Sequence, residues 1–379
     1  MDFAYTDEQQ ELIDLARKIL TDRSAPDRLK KIERGGGPRF DPELWAELAK
    51  AGIVGVGIPE EFGGNGFGFL EVAGVIEQVG RTTAAVPYLE TVVLGSLPLV
   101  AFGTAEQKRA LLPEVARGEL ILTAALVEPE GELLRPLVRA EPVGADWQLS
   151  GVKVCVPFAE LAQRILVPAR TPDGDVGLFL VDPASAGVTL EPMQTTSGQP
   201  EALLELANVT VAAGDILGSL GEGRVILDWM SERLAAAQAA LAFGVCSEAL
   251  RLTAEYTTNR KQFGQPIASF QAAGQRAANA YIDNEAIRLT ALHAAWRIAA
   301  GLPAAAQAAV AKLWAADAGH RVVHAAQHLH GGVGVDRDYP LHRYFLYARQ
   351  IELTNGNASA QLRRLGKMIA DGSMGDNAS

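Results

Sequence analysis

Two cysteines, Cys155 and Cys246, are all that 379 residues contain, too few for a disulfide framework and in keeping with a reducing compartment. No run of about 18 uncharged apolar residues occurs, which argues against a membrane-spanning helix. The amino-terminal stretch from Met1 to Leu15 is acidic and amphipathic. It lacks the basic and apolar regions of a signal peptide, so a cytoplasmic location is expected. Basic residues are in deficit, with 34 Lys and Arg against 45 Asp and Glu and a formal net charge of −11. That balance argues against a nucleic-acid partner, because phosphate backbones require a basic face. An anionic ligand would have to be met by a few placed arginines against an unfavourable overall field. The Gly-x-x-x-x-Gly-Lys-Ser/Thr pattern is missing, and no glycine-rich run follows a strand within a βαβ unit, so a P-loop and a dinucleotide fingerprint of the Rossmann type are both disfavoured.

What is present divides into three textures. At roughly 100–200 residues per domain, the length allows two or three domains. Residues 1–120 read as helices with short breaks. Thr6 is a candidate N-cap, after which Leu12, Ile13, Ala16, Ile19 and Leu20 recur at helical spacing. Asp41-Pro42 opens another helix, and helical patterns cover roughly 69–80, 87–102 and 105–117. Residues 121–220 carry short Val-, Leu- and Ile-rich segments separated by turn signals at 142–146, 172–175 and 184–187. They predict a small antiparallel β domain. Residues 221–379 return to long amphipathic helices: Arg224 to about Asn259 with Gly244 inside it, Ser269 to Ala300, Ala304 to Leu329, and a stretch after Pro340. Four such helices joined by short loops predict a bundle. The residues from Asp371 onward read as a frayed tail. The fold class is therefore α+β, mainly α, with the β domain inserted between helical blocks.

Three features carry chemistry or imitate it. His320, His324 and His328 are spaced i, i+4, i+8 on one helix. Two such imidazoles can share a metal, but no Glu follows in the His-Glu-x-x-His pattern and no carboxylate or Cys cluster completes a site, so a bundle-packing face is the better reading and no metal is expected. The glycine run at 330–336 ends a long helix, which leaves its backbone amides free to meet an anion. The segment Asn259 to Gln271 places Arg260, Lys261 and Gln262 before Phe263-Gly264 at a helix corner. That is either a ledge for a phosphate or an adenine, or a solvated turn anchored by Phe263.

Together these pieces resemble the acyl-CoA dehydrogenase family of α–β–α flavoproteins, over the whole chain and in order. The stretch Pro59 to Gly68 is similar to the family's Pro-Glu-x-x-Gly-Gly turn. Asn259 to Gln271 is similar to its Arg-x-Gln-Phe-Gly-x-Pro-Ile-x-x-Phe-Gln signature, and Gln327 to Val335 to its Gln-x-x-Gly-Gly-x-Gly loop. The resemblance implies that Arg260, Gln262 and Phe263, with Gln327, Gly331 and Gly332, contact the FAD of a neighbouring subunit, and hence an oligomer. It also exposes departures. Val127-Glu128-Pro129 keeps part of the family's Thr-Glu-Pro-x-x-Gly-Ser-Asp, but the Gly-Ser-Asp is absent. Gly151 and Lys153 match Gly-x-Lys, but Cys155, Val156, Pro157 and Phe158 replace the Trp-Ile-Thr/Ser-Asn that binds flavin. Pro157 brings neither a hydroxyl nor an N–H where the family uses donors. Counting from Tyr339-Pro340, the family's usual base falls on Asn355, which cannot act as a carboxylate. Some members place the base on the first long C-terminal helix just before an Arg, and Glu232 matches that position, where it is otherwise an ordinary helix-surface Glu.

The chemistry implied is desaturation of an acyl-CoA thioester, in which an α-proton goes to a carboxylate and the β-hydrogen goes to the flavin. Three readings follow: one subunit of an α2β2-type enzyme whose homologous partner completes the flavin site, as in actinobacterial steroid side-chain dehydrogenases, whose smaller subunits the chain resembles; a self-sufficient homo-oligomer using Glu232; or a structural subunit without a site of its own. An oxygen-activating relative on the same fold is a more distant fourth. By analogy the electron acceptor is an electron-transferring flavoprotein.

Overall fold

The computed structural model describes residues 5–373. The frayed tail expected from Asp371 lies, from Met374 on, outside the described residues. Helices come first: α1 (Asp7–Arg23), α2 (Pro26–Glu33), α3 (Pro42–Lys50), α4 (Phe69–Thr82), a π-helical stretch Glu90–Ser96 continuing into α5 (Leu97–Phe102), and α6 (Ala105–Ala116). Strands follow: β1 (Leu122–Ala124), β2 (Arg139–Val143), β3 (Asp146–Pro157), β4 (Arg164–Arg170), β5 (Val176–Val181), β6 (Val188–Met193), β7 (Glu201–Val211) and β8 (Ile216–Leu217). The chain then runs through α7 (Gly223–Asn259), a small hairpin of β9 (Lys261–Gln262) and β10 (Gln265–Pro266), α8 (Gln271–Ala299), α9 (Ala305–His330), α10 (Leu341–Leu353) and α11 (Ala358–Ala370). This is an N-terminal helical domain, a central mixed β-sheet domain and a C-terminal helix bundle. No helix among the described residues is long and apolar enough to cross a membrane.

Local signals explain the helix starts. Thr6 accepts a hydrogen bond from the Gln9 amide while the Gln9 side chain returns one to the Thr6 amide, a full capping box. Asp41 accepts from Leu44 N at 3.1 Å, with Pro42 in the first turn. Helix α2 carries a single buried residue, Leu29, so its periodicity is too weak to have been expected.

The sheet amends the antiparallel expectation. Its order is β6-β7-β3-β2-β4-β5-β8, and most neighbours are antiparallel. However, β1 and β2 both pair in parallel with one edge of β4, through Leu122–Ala124 against Arg164–Leu166 and through Arg139 against Arg170. Parallel neighbours need a crossover connection, and turn signals between successive segments reveal only hairpins. Strand β5 is buried along its whole length. The fourth bundle helix expected after Pro340 is two helices, α10 and α11, broken at Thr354–Asn357.

Compactness divides the chain into two units. The first comprises Met1–Leu29, Phe69–Ala84 and Glu232–Ser379, and the second Lys30–Gly68 and Ala85–Ser231. In the first unit α4 crosses α7 at two glycines. A Cβ on Gly244 would lie 2.0 Å from Glu77 O, and one on Gly80 would lie 2.3 Å from Leu241 O. The backbones approach closely enough to demand glycine at both positions, which explains the glycine inside an otherwise continuous α7.

Candidate functional site

All the residues expected to contact a cofactor lie in the first unit. Where α7 ends, the chain reverses over Phe263-Gly264, whose φ values of +53° and +81° are those of a type I′ turn. Phe263 holds this conformation without glycine's freedom. It is 94% exposed, touched edge-on by Phe270 at 6.2 Å. Arg260, Lys261 and Gln262 are exposed beside it, and Gln262 Nε2 donates to Lys261 O at 2.8 Å. The Arg260 guanidinium has no hydrogen-bond or ion-pair partner among the described residues.

The second segment closes α9. Gly331 takes φ +60° and ψ −140°, a region open essentially to glycine alone. Added Cβ atoms on Gly331 and Gly332 would meet nothing within 4 Å, so the backbone there is bare. Gly334 is the opposite case: its Cβ would sit 2.9 Å from Gln327 O and 3.1 Å from His330 Cβ. Gln327 is half-buried and His328 exposed. Counted back from Gly331, the Gln-x-x-Gly-Gly spacing falls on His328 rather than Gln327, so the loop begins with an imidazole in place of the family's amide.

The structure brings these two segments together through rings that the sequence reading did not single out. Tyr256, one turn before the end of α7, accepts the Arg260 amide at 2.8 Å. It stacks on His330 at 4.4 Å and 22°. His330 is 3% exposed. Its Nδ1 lies 2.8 Å from Ala326 O, which can only accept, so Nδ1 carries the proton. Nε2 is then an acceptor, and the Tyr339 hydroxyl donates to it at 3.2 Å. Burial pushes the His330 pKa down, which keeps the ring neutral.

His320 and His324 are held locally on α9. His320 and His324 stack at 4.0 Å, and His324 Nδ1 lies 2.8 Å from His320 O. His320 Nδ1 is 2.6 Å from Arg349 Nη1 and 3.1 Å from Glu352 Oε2. No group of three or more metal-ligating side chains occurs among the described residues.

The two base candidates also lie in the first unit. Glu232 is half-buried on α7. Burial lowers the pKa of the adjacent Arg233 guanidinium to about 10, against the opposing pull of Glu232. Asn355 occupies the turn between α10 and α11 at φ +58°, and its carbonyl accepts from Gln361 Nε2 at 2.9 Å. The turn is set from below by Lys312 on α9, whose side chain is fully buried. The ammonium donates to Ile351 O, and to Glu352 O at 3.4 Å, closing the carboxyl end of α10. Burial pulls Lys312 down to about 7, with Glu352 opposing.

The second unit holds the remaining motif residues, and there they form a structural lock. Lys153 Nζ lies 2.6 Å from Glu128 Oε1, with side chains 1% and 3% exposed. The same carboxylate accepts from Leu137 N at 2.5 Å and Val138 N at 3.2 Å, closing the loop between them. Burial pushes Lys153 down to about 8 against the attraction of Glu128. Beyond Lys153, β3 bulges against β7, and Cys155 sits at the bulge with φ +52°. Pro157 presents no N–H at the strand's end, and its carbonyl is taken by the Thr123 hydroxyl at 2.7 Å.

The two units differ in the groups they could offer a flavin dinucleotide. The first unit offers an unpaired exposed guanidinium, a protruding aromatic and a bare glycine backbone. In the second unit, the positions where a hydroxyl and a side-chain amide would be needed carry Pro157 and Phe158, and the retained Glu128 and Lys153 are engaged with each other and with the Leu137 and Val138 amides.

Residues 6–119 match the model of the acyl-CoA dehydrogenase N-terminal domain, and residues 222–370 match that of the C-terminal domain. The chain is 40% identical over 379 residues to the acyl-CoA dehydrogenase FadE27 of Mycobacterium tuberculosis, covering 98% of this chain and 99% of that protein. Among solved structures, the ChsE4-ChsE5 complex from Mycobacterium tuberculosis matches at 41% identity and a TM-score of 0.93, over 98% of this chain and 99% of that one. A variant of the Tcur3481-Tcur3483 steroid ACAD matches at 43% identity and a TM-score of 0.90, over 97% of this chain and 99% of that one.

Proposed function

The chain belongs to the acyl-CoA dehydrogenase family, and from that premise we propose that it is one subunit of a heteromeric, FAD-dependent acyl-CoA dehydrogenase. In this reading it supplies the Arg260 and Gly331 edge of a flavin pocket that a homologous partner completes. One observation carries the proposal, the asymmetry between the two units. The segments that would face a neighbour's flavin keep Arg260, Gln262, Phe263, Gly331 and Gly332, whereas the stretch that would cradle this chain's own flavin is interrupted at Cys155, Pro157 and Phe158.

The bound flavin would supply the two-electron oxidation of the acyl-CoA thioester. This chain's part is binding and orientation. Arg260 offers a cation to the dinucleotide phosphates, Gln262 a side-chain amide, and Phe263 an apolar face that enters the partner's surface. Gly331 and Gly332 allow backbone to approach without side chains in the way. Asn355 leaves the usual base position without a carboxylate, so in this reading the acceptor of the α-proton would come from the partner subunit. Support for association also comes from exposed apolar side chains of this unit outside the hairpin: Tyr281 and Ile282 on α8, with Leu353, Leu362 and Ile369 at the carboxyl end, each more than half exposed. A relative described as a steroid ACAD supports a steroid-derived acyl-CoA as the substrate class, and one described as a two-protein complex supports the heteromeric reading.

Co-expression with a homologous subunit, followed by a flavin spectrum, tests the proposal. The expected result is a colourless protein alone and a yellow complex that reduces an artificial acceptor with acyl-CoA. A yellow, active protein alone would overturn it in favour of a self-sufficient enzyme. Glu232, the half-buried carboxylate on α7, would then be the base, and Glu232→Gln would abolish turnover while leaving the colour.

A further inference from the structure

We propose that Tyr256, His330 and Tyr339 form a positioning unit that sets the Arg260 hairpin and the Gly331 loop in one fixed relation, so that the two segments bind the flavin as a single preorganised edge. The inference rests on the reading that this edge meets a flavin, and it adds three residues that act through the hairpin and the loop they hold.

The geometry is specific. Tyr256 lies on the last turn of α7, and its carbonyl receives the Arg260 amide where the hairpin departs. His330 is the last residue of α9, immediately before Gly331. Their rings overlap at 4.4 Å and 22°, so the two helix ends are joined at the residues from which the two binding segments spring. Tyr339, at the far end of the Gly331 loop, closes the arrangement twice. Its hydroxyl donates to His330 Nε2 at 3.2 Å, and its ring lies 5.2 Å from His330 and 6.3 Å from Tyr256. The loop from Gly331 to Asp338 is thus pinned at both ends to one imidazole. That ring is oriented by its bond to Ala326 O at 2.8 Å.

Within the loop a single 3-10 turn, Gly331–Val335, is anchored at the buried Gly334, and the two glycines before it gain most from support at the loop's ends. Gly331 and Gly332 have no neighbours to restrain a side chain, and glycine loses more conformational freedom on ordering than any other residue. An edge assembled from two independently mobile segments would have to order both on binding, whereas rings that already fix them remove that cost.

The roles of the three residues differ, and so do the expected effects of changing them. The Tyr256 side chain takes part through its ring, and its hydroxyl has no hydrogen-bond partner among the described residues, so Tyr256→Phe should behave as the parent. Tyr256→Leu removes the stack. Tyr339→Phe keeps the ring and removes the bond to Nε2.

The test has two readouts. On the purified chain, amide hydrogen exchange is followed in peptides covering 260–267 and 331–338. Tyr256→Leu should accelerate exchange in both segments together, and Tyr256→Phe in neither. In the co-expressed complex, FAD affinity is measured by equilibrium dialysis. Tyr256→Leu and Tyr339→Phe should each weaken it by about three- to tenfold, the range expected for losing one aromatic contact or one hydrogen bond, and Tyr256→Phe should restore it. Arg260→Ala separates this inference from the reading beneath it. If Arg260→Ala leaves FAD affinity unchanged, the chain does not face the flavin and the functional reading falls. If Arg260→Ala weakens FAD but Tyr256→Leu changes neither exchange nor affinity, the positioning unit is refuted on its own.

Discussion

Replacing Lys312 by methionine should alter how stability depends on pH more distinctively than it alters stability at any one pH. The Lys312 side chain is fully buried, and burial brings its pKa from 10.5 to about 7. At about 1.36 kcal/mol for each pH unit, holding the charge at neutral pH costs on the order of 5 kcal/mol relative to the unfolded chain. The sign follows from linkage. The folded pKa lies below the unfolded one, so between pH 7 and 10.5 the unfolded chain binds more protons, and stability rises with pH. It is greatest above the unfolded value, is lost as pH falls towards 7, and levels off below that. From pH 7 to pH 9 this single group should add roughly 2 kcal/mol to stability. Methionine has similar bulk and no proton to exchange. It also leaves Ile351 O and Glu352 O without their donor, a loss of about 1–3 kcal/mol that is the same at every pH. Urea denaturation of the parent and K312M at pH 7, 8 and 9 separates the two effects. The parent should gain on the variant by roughly 2 kcal/mol over this range. Parallel pH profiles would refute the reasoning, because they would mean that Lys312 titrates as an ordinary lysine.

Two further substitutions test the packing. K153M should cost about 3–5 kcal/mol by leaving the Glu128 carboxylate buried without its counter-charge. Adding Glu128→Gln should recover part of that loss, since it removes the uncompensated charge while its single amide oxygen can still accept from one of Leu137 N and Val138 N; thermal melts of the single and double variants decide. Gly244→Ala should destabilise by about 1–3 kcal/mol or more, because its Cβ would meet Glu77 O at the α4–α7 crossing. A melting temperature equal to the parent's would show that the helices separate freely there.

The parts of this protein legible in its sequence are those governed by neighbours within a turn or two. Thr6 and Asp41 announce helix starts because a cap needs only the next three residues. The alternation of helical, strand-rich and helical texture follows from periodicity, and the Arg260 and Gly331 segments stand out because their glycines and charges are unusual locally. That Asn355 has no carboxylate and Pro157 no hydroxyl, at positions where the family resemblance implies them, is likewise a matter of side-chain chemistry alone. Tertiary structure decided the rest. β1 and β2 join β4 in parallel through contacts that no turn signal encodes. The helix after Pro340 breaks at Thr354 because Lys312, from α9, ends α10 there. Glu128 and Lys153 look like remnants of a binding motif until folding closes them on each other. Tyr256 and His330 are ordinary residues at two helix ends until the bundle stacks them. In each case the deciding interaction joins groups far apart in the chain, and its strength comes from a burial that exists only once the fold has formed.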